Sequence, residues 1–598
     1  MTANRNINWI KKHMYALAWM IMLSFYGFLL LLIAYGNHSD SIFFHYLLSG
    51  KILLLNIAPV LIAALFIFSV SGSYFISFFL STSAATGFCL ANYYKICFRD
   101  DPILFEDLLL IREASVMAGN YDFFVNWRIV VILLGWFVGN IFIFLFCREK
   151  IKSVKLRMRI LMVGFLLSIL FSFLYQSDTI YASIGTDAFW EPTEYAVSRG
   201  GLYPFLHSIY NENEKIPENY NSQNIQNLLS EYPESDIPSD RKVNIIALMR
   251  EAYVDFSAFN INGLDCSEYD IYHEIKESSY TGRLVTNIFA GGTVDTERCF
   301  LTGAYKLKNY RMNTNSYVWY LRRQGYTTEG SHPFFQRMYN RRNINQYLGF
   351  EKYRYYENDF EYLSSEYYPE DRILFSEIYN DFQKSKENSK PCFSFSVNVQ
   401  SHGPYSTNSY RNGSKEYLTG NYSDECKYAM NNYMNITMEQ DHELKIFLDA
   451  LAADQEPVVF ILFSDHLPWM GNGNSFYSEM GIEFQTDTEE GFYDYYATEY
   501  LIWANTAAKE ILGNSFTGNG PTISPCYLMN EVFKQCGWKG PAYMQAMNEI
   551  EQIFPVITTN DRYVADGLFT DTIPENRIET MQALESLDYY WRNNFLYP

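Results

Sequence analysis

The sequence predicts a two-part membrane protein: five transmembrane helices, followed by an exterior α/β domain with a mostly parallel central sheet. Apolar segments long enough to cross a bilayer are confined to the first 175 of the 598 residues. From Val243 onward, short apolar runs alternate with longer helix-like stretches, as a parallel sheet with crossover helices requires. We therefore expect three regions: transmembrane residues 1–175, an extracytoplasmic linker over residues 176–242, and an α/β domain over residues 243–598 with a smaller C-terminal subdomain.

Five apolar segments predict the membrane spans. They are residues 14–35, 52–72, 74–98, 129–147 and 160–175. A span needs about 20 residues, so the last segment is short. Between the third and fourth, residues 100–117 have apolar side chains at helical spacing, and we expect either a helix at the membrane interface or one packed against the spans.

Charge sets the expected orientation of the chain. Residues 148–159, between the fourth and fifth spans, carry six basic side chains against the single acid Glu149. The N-terminus carries Arg5, Lys11 and Lys12. Both segments belong in the cytoplasm under the positive-inside rule, and five spans then place the remainder of the chain outside. We expect the first span to stay uncleaved, because its apolar stretch is long for a signal peptide.

The part of the chain that follows the spans is strongly acidic. The first 175 residues hold 14 basic and 8 acidic side chains, against 46 and 67 in the whole chain. An acidic exterior domain has no electrostatic attraction for nucleic acid, so we expect no nucleic-acid partner.

Cysteine spacing excludes a zinc ribbon, since no CxxC pair occurs among the nine cysteines. Six of them follow the spans, where disulfides form in an exterior domain. Cys526 and Cys536 are close enough in sequence to pair, but the spacing fixes no connectivity.

Five apolar runs predict the strands of the exterior domain, and helix-like stretches lie between them. The predicted strands are residues 243–249, 283–290, 326–330, 393–399 and 457–463. The predicted helices include residues 317–324, 371–384 and 438–452. This alternation favours a doubly wound or related α/β sandwich.

Side chains that can bind a metal or take part in catalysis follow each of these strands. In chain order they are Glu251, Thr293 after two glycines, His332, His402, and the pair Asp465-His466. In parallel α/β sheets the ligand crevice lies at the carboxyl ends of the strands. We therefore expect these side chains to meet at one edge of the sheet.

These residue types point to phosphoryl transfer. Asp, Glu and neutral His are good ligands for Mn²⁺ or Zn²⁺, and metal coordination is one way to activate a threonine hydroxyl. Thr293 precedes a predicted helix start at Val294, and a helix N-terminus favours the negative charge of a phosphate. Gly291 and Gly292 let the backbone approach a bulky anion. The pattern indicates transfer through a covalent phospho-threonine.

In order and spacing, these features resemble the lipoteichoic acid synthase family, membrane-anchored polyglycerolphosphate synthases of the sulfatase-like (alkaline-phosphatase-like) superfamily. The matching segments are Asn244 to Glu251, Gly292-Thr293-Val294-Asp295-Thr296-Glu297, Tyr339-Asn340-Arg341 and Phe463-Ser464-Asp465-His466. The resemblance implies that Thr293 is the catalytic nucleophile. It implies a metal site and a head-group site, with the metal bound by Glu251, Thr293, Asp465 and His466, and the substrate head group by His332, Tyr339, Arg341 and His402.

The family implies a reaction, a cofactor and a location. Phosphatidylglycerol would pass glycerol phosphate to Thr293, release diacylglycerol, and a glycolipid, polymer or glycan acceptor would take the group. One divalent metal is implied, Mn²⁺ first, although the same ligands accept Zn²⁺ or Mg²⁺. The protein would be a multi-pass protein of the bacterial cell membrane with its catalytic domain outside.

Two alternatives stay open, and one is disfavoured. A phosphoethanolamine transferase of the same superfamily shares the five spans, the fold and a threonine nucleophile, although its usual Gly-Glu-Thr motif is not seen here. A non-catalytic sensor or binding module on the same fold is the other. A sulfatase is disfavoured, because the turn at Thr293 lacks the C/S-x-P-S-R pattern. Ala252 and Tyr339 stand where the family usually has Ser and Trp, which leaves the head-group pocket and the acceptor open.

Overall fold

The chain folds as two compact units. The computed structural model describes residues 2–110, 123–148, 150–211, 214–308, 310–364, 366–388 and 390–597. The first unit comprises residues 1–215 together with 337–340, and the second comprises residues 216–336 and 341–598. The boundary at 215 falls inside the segment predicted as a linker, so residues 176–215 count with the first unit.

The first unit contains five helices long and apolar enough to cross a membrane. These candidate spans are His13–Ile33, Gly50–Ser71, Tyr74–Arg99, Trp127–Phe146 and Val154–Gln176. The helices of this unit are α1 Thr2–Leu30, α2 Ser41–Leu48, α3 Gly50–Ser71, α4 Tyr74–Arg99, α5 Trp127–Phe146, α6 Val154–Gln176, α7 Asp178–Ala182, α8 Pro192–Val197 and α9 Leu202–Asn211. The number and the order of the predicted spans are confirmed.

The fifth span is longer than predicted. Its helix begins at Val154, inside the basic segment, because the Ser153 side chain caps it by accepting a hydrogen bond from Leu156 N. The three basic residues that follow Val154 therefore belong to the helix rather than to a loop. Of the helix predicted over residues 100–117, the described part is a short 3₁₀ turn at Phe105–Leu110, and residues 111–117 lie outside the described ranges.

The segment after α6 is docked onto the first unit by a polar contact inside a span. Asn56 of α3 accepts hydrogen bonds from Leu202 N and Tyr203 N at 3.0 and 3.1 Å and donates to Arg199 O at 2.9 Å. The Arg199 guanidinium packs over the Tyr195 ring, with its carbon 3.6 Å from the ring centroid. Asn56 Nδ2 also donates to Ile52 O in its own helix, so it is the side-chain oxygen of this buried amide that depends on residues 202 and 203 for its partners.

The second unit is built on an eight-stranded, mostly parallel sheet. Its strands are β1 Asn244–Arg250, β2 Tyr280–Val285, β3 Thr327–His332, β4 Lys352–Tyr355, β5 Cys392–Val397, β6 Val458–Ser464, β7 Ala497–Ala504 and β8 Gly518–Asn519. Their order in the sheet is β4-β3-β5-β1-β6-β7-β2-β8. Only β7 runs against its neighbours, being antiparallel to both β6 and β2 among the described strands. Since β7 reverses the direction and β2 reverses it again, β2 ends at the same edge as β1, β5 and β6.

Helices cover both faces of this sheet. They are α10 Ser222–Ser230, α11 Asp270–Glu277, α12 Val294–Thr302, α13 Tyr317–Arg323, α14 Arg341–Tyr347, α15 Asp371–Glu387, α16 Asp424–Ala453, α17 Ser475–Glu479, α18 Glu489–Tyr496, α19 Thr506–Leu512, α20 Leu528–Cys536, α21 Ala542–Glu551 and α22 Ile578–Asn593. Along β1, Ile245 and Ala247 join one apolar core, whereas Ile246 and Leu248 join the other. A strand buried on both faces reads as a continuous apolar run, which is why β1 was recognisable in the sequence.

Four of the five predicted strands match the structure within two residues at either end, and the second does not. β2 ends at Val285 rather than continuing to residue 290, because Thr286 turns away and bonds to Tyr496 O through its backbone N–H at 2.9 Å. The chain then passes through Ala290 and Gly291 at φ 54° and 147°, values that an extended strand does not take.

The remaining differences concern elements that the pattern did not single out. The helix predicted over residues 438–452 begins at Asp424, because the Ser423 side chain caps it and its asparagines support neighbouring loops. Strands β4 and β7 were not predicted. A small antiparallel sheet follows, formed by β9 Val556–Ile557, β10 Tyr563–Ala565 and β11 Leu568–Thr570. All nine cysteines lie in described residues and are free, Cys526 and Cys536 included.

Candidate functional site

The central strands β1 and β6 bring three candidate metal ligands together. Arg250 and Ser464 are register partners at the ends of these parallel strands, so Glu251 and the pair Asp465-His466 leave the sheet side by side. One ligand atom from each of these three residues lies within 4.8 Å of the others, and all three side chains are buried.

Thr293 reaches the same place from β2. The loop after β2 turns through positive φ at Gly291 and Gly292, and α12 begins at Val294 with Thr293 as its N-cap residue. A threonine at this position usually accepts a hydrogen bond from its own helix, but here the side chain makes no such bond. Its hydroxyl instead donates to Glu251 Oε2 at 3.2 Å. The predicted nucleophile therefore contacts a predicted metal ligand.

A positive charge would stabilise the buried carboxylates of this cluster. Burial, followed by the negative charge of Asp465, raises the pKa of the Glu251 carboxyl to about 8. Asp465 Oδ2 and His466 Nε2 lie 3.2 Å apart, and both are buried without a hydrogen-bond partner among the described residues. His466 Nδ1 is 2.8 Å from Leu467 O, a contact in which it donates and leaves Nε2 as the metal-binding nitrogen.

The donor set fits a divalent cation on these grounds. Unpaired buried polar atoms are costly, and a cation held by Glu251, Asp465 and His466 would satisfy both of them. Carboxylate oxygens and an imidazole nitrogen suit Mn²⁺ or Zn²⁺. The roles assigned to these residues and to Thr293 stay predictions that this geometry supports.

Side chains from the end of β5 hold the Glu251 backbone, and sequence reasoning missed them. Asn398 Oδ1 accepts from Glu251 N at 2.6 Å, and Ser401 Oγ donates to Glu251 O at 2.5 Å. Asn398 Nδ2 in turn donates to Asp371 Oδ2 at 2.6 Å, and burial raises the pKa of Asp371 to about 6. Ser401 directly precedes His402, so the strand-end rule that selected His402 could have found it, whereas Asn398 lies inside the strand predicted over residues 393–399.

A buried ion pair lies directly before Glu251. Arg250 Nη1 contacts Asp441 Oδ1 at 2.6 Å, and the Tyr253 hydroxyl donates to the other oxygen of Asp441 at 3.0 Å. Asp441 comes from the middle of α16, far away in sequence. No local sequence pattern indicates this ion pair, and the next residue, His442, is exposed.

The two predicted head-group histidines flank one aromatic ring. His332 ends β3, is buried, and lies 3.0 Å through Nδ1 from Val397 O. Burial and the nearby Arg341 guanidinium hold the pKa of His332 well below its usual value, so it is neutral. His402 is exposed, and its Nδ1 lies 3.3 Å from the Tyr368 hydroxyl. The ring of Phe334 lies 6.1 Å from that of His332 and 6.4 Å from that of His402.

Arg341 is buried and paired with the nucleophile helix, whereas its neighbour Arg342 is exposed. Arg341 Nε and Nη2 both contact Glu297 Oε2, at 3.0 and 2.9 Å, and Glu297 belongs to α12. Tyr339 belongs to the first unit, where its backbone N–H donates to Trp190 O at 2.7 Å. The head-group roles of His332, Tyr339, Arg341 and His402 stay predictions.

Comparison with known proteins finds a family match for part of the chain and two relatives. Residues 244–537 match the sulfatase family model. A Rhizobium meliloti (strain 1021) protein named for cyclic beta-1,2-glucan modification is 24% identical over 515 residues, covering 80% of this chain and 77% of that protein. Capsular polysaccharide biosynthesis protein RkpI of the same organism is 26% identical over 237 residues, covering 38% of this chain and 41% of that protein.

Solved structures resemble the second unit only distantly. The Streptococcus pyogenes phosphoglycerol transferase GacH in complex with sn-glycerol-1-phosphate aligns with a TM-score of 0.46 and 18% identity, covering 64% of this chain and 96% of that chain. The narrower resemblance to lipoteichoic acid synthases stays a prediction. Residues 244–537, which match the sulfatase family model, contain the mostly parallel sheet and follow five candidate membrane spans in the chain.

Proposed function

We propose that the protein is a phosphoglycerol transferase that moves glycerol phosphate from phosphatidylglycerol to a glycan through a covalent intermediate on Thr293. One observation carries the proposal. The Thr293 hydroxyl is not used to cap its own helix and instead contacts Glu251, inside a buried cluster of metal-binding side chains. A threonine with a purely structural role at a helix start is expected to cap that helix, whereas the Thr293 hydroxyl contacts a candidate metal ligand.

The residues support a balanced two-step transfer. In the first step, Thr293 Oγ1 forms a bond to phosphorus, and the bond from phosphorus to the diacylglycerol oxygen breaks. The Thr293 proton leaves toward Glu251 Oε2, and the departing diacylglycerol takes up one proton. In the second step the oxygen of an acceptor hydroxyl forms a bond to phosphorus and releases its proton, and the bond from phosphorus to Thr293 Oγ1 breaks. Thr293 Oγ1 takes back a proton from Glu251 and is regenerated as the alcohol. The N-terminus of α12 favours the negative charge of the phosphate in both steps.

One divalent cation would be held by Glu251, Thr293, Asp465 and His466. When bound, it supplies a Lewis acid that lowers the pKa of the Thr293 hydroxyl and offsets charge on the phosphoryl oxygens. We propose Mn²⁺, with Zn²⁺ or Mg²⁺ as the metals that the same ligands also accept. Arg341 would present its planar guanidinium to the phosphate, and the neutral His332 would bind a glycerol hydroxyl.

The relatives favour a glycan as the acceptor. The two Rhizobium proteins are named for cyclic glucan modification and for capsular polysaccharide biosynthesis, and the first aligns over most of both chains. We propose that the second unit lies outside the bacterial cell membrane, where the positive-inside rule places it, with the N-terminus in the cytoplasm. There the donor lipid and an exported glycan are both within reach.

The test is the intact mass of the full-length protein in detergent, after incubation with Mn²⁺ and phosphatidylglycerol. We expect a glycerol phosphate adduct that is absent in Thr293→Ala and is released when a glucan acceptor is added. Thr517→Ala, which removes an exposed threonine of the same unit, is the matched control and should keep the adduct.

Other outcomes redirect or end the proposal. An adduct with phosphatidylethanolamine, but none with phosphatidylglycerol, would identify a phosphoethanolamine transferase. Tight metal binding without an adduct from either lipid would contradict the transferase proposal and favour a non-catalytic binding module on the same fold.

A further inference from the structure

A polar cavity lies at the open edge of the sheet, beside the edge strand β4. Its volume is about 310 Å³, at the lower end of the roughly 300–1,000 Å³ typical of small-molecule sites. Four side-chain amides line it: Gln336, Asn345, Gln346 and Asn358. Each amide group offers two donors and one acceptor oxygen, so this wall matches a ligand rich in groups that both donate and accept.

Three aromatic rings give the cavity a rigid side. Tyr353 lies 5.2 Å from Phe350 and 5.1 Å from Tyr355, measured between ring centroids. The Tyr353 ring fits over β3 because its register partner is Gly330, where an added Cβ would come within 2.4 Å of the ring. The rings are therefore fixed in position by packing and give this side of the cavity a defined shape.

The amides of the cavity differ in how firmly they are held. Asn345 Nδ2 donates to the Tyr355 hydroxyl at 3.2 Å, which fixes this amide in the wall. Gln346 and Asn358 line the cavity and are exposed, so their amides are within reach of a ligand that enters it.

The charges of the cavity indicate a neutral ligand. Among the described lining residues, Arg342 is the single cation and Glu351 the single acid. Phosphate sites typically bring several charged donors onto one group, which this lining does not. Several amides together with balanced charges fit a sugar, whose hydroxyls need both donors and acceptors.

We propose that this cavity binds a neutral carbohydrate and holds the glycan acceptor; the acceptor role rests on the proposed function. The cavity adjoins the site through α14, where Arg341 pairs with Glu297 and the next residue, Arg342, lines the cavity. Burial and the negative charge of Glu297 raise the pKa of Tyr355, so the cavity wall lies within electrostatic range of the Arg341–Glu297 pair.

The test is isothermal titration calorimetry on the full-length Thr293→Ala protein in detergent, a variant that cannot turn over. The probes are a linear β-1,2-linked glucan oligosaccharide and, separately, inorganic phosphate. We expect the glucan to bind, and the double variant Gln346→Ala/Asn358→Ala to weaken it on the order of tenfold, as the loss of two hydrogen bonds predicts. The matched control Gln552→Ala/Asn576→Ala, which changes exposed residues of the same types, should bind like the parent.

Thermal unfolding separates a ligand-binding role of the cavity from a structural one. It is therefore measured on the same double variant: because Gln346 and Asn358 are exposed, this variant should keep the parent's thermal unfolding temperature while glucan binding falls. Glucan binding that is absent, or equal in the parent and the double variant, would overturn the proposal, as would binding of phosphate in its place. If the Thr293 adduct fails to form but the glucan binds, the transferase proposal fails and the carbohydrate site stands.

Discussion

Arg341 and Glu297 form a buried ion pair, with Arg341 Nη2 2.9 Å from Glu297 Oε2 and at most 3% of either side chain exposed. The pair joins α14 to the helix that begins at the proposed nucleophile. A charge that loses its partner in such an environment keeps the cost of desolvation without the attraction that offsets it.

We expect Glu297→Gln to lower the free energy of unfolding by about 3 kcal/mol, because it removes the negative charge that faces the buried Arg341 guanidinium. Thermal unfolding of the detergent-solubilised protein, followed by tryptophan fluorescence, is the measurement. Glu234→Gln removes the partner of Arg323 in an exposed ion pair and should cost less than about 1 kcal/mol. Equal losses of stability in the two variants would contradict a larger contribution from the buried Arg341–Glu297 pair than from the exposed pair.

Metal content tests the cluster of Glu251, Asp465 and His466 directly. His466→Ala should lower the affinity for Mn²⁺ at least tenfold, because it removes one of the three clustered ligand residues. His466 Nε2 makes no hydrogen bond among the described residues and is therefore available to a metal. The measurement is metal stoichiometry after equilibrium dialysis of the full chain. His442→Ala, which removes an exposed histidine from α16, should bind metal like the parent. Undiminished metal binding in His466→Ala would place the ion elsewhere.

Asn398 is expected to position Glu251 without contacting substrate. Asn398→Ala removes the acceptor for Glu251 N and should weaken metal binding by roughly 10–100-fold. The single variant Asp371→Asn keeps an oxygen that can accept from Asn398 Nδ2, so it should keep most of the parent's affinity for metal. If both variants bind metal equally weakly, the effect comes from general loss of packing rather than from positioning.

Stability should depend on pH through Glu329. Burial, with a contribution from Asp381, raises the pKa of its carboxyl from 4.5 to about 7. A carboxyl whose pKa rises on folding stabilises the folded state only while protonated, so this contribution is full below pH 4.5 and is lost as the pH rises to 7.

Glu329→Gln should therefore raise the unfolding temperature at pH 8 and change it less at pH 5. The control is Glu361→Gln, an exposed position where no such difference between the two pH values is expected. An equal shift at both pH values would exclude titration of Glu329 as the cause.

The sequence predicted those parts of the site that are encoded locally. Glu251 and Asp465-His466 directly follow apolar strands, and the parallel arrangement of neighbouring strands brings such positions together without further information. Asn398 was missed because the strand was predicted to continue to residue 399, whereas β5 ends at Val397. Thr293 was identified from its glycines, although β2 ends eight residues before it.

The parts that were not predicted depend on contacts between distant segments. Asp441 lies 191 residues from Arg250 in sequence, and its polar neighbours in α16 indicate an exposed helix face as readily as a buried ion pair. The cavity beside β4 depends on Gly330 accommodating the Tyr353 ring, a relation visible only once β3 and β4 are paired. Pairing partners of short strands are set by the fold as a whole, and no local pattern reports them.

The reversed strand β7 has a consequence for how reactivity can change. Because β7 separates β6 from β2, the proposed nucleophile and the metal ligands arrive from strands that are not neighbours, and the loop before Thr293 is anchored by Thr286 to Tyr496, at the end of α18. Substitutions in α18 can therefore shift the nucleophile relative to the metal ligands while every ligand keeps its own support. Natural variation could tune the rate or the substrate range of this site from a surface helix, leaving the residues that perform the chemistry untouched.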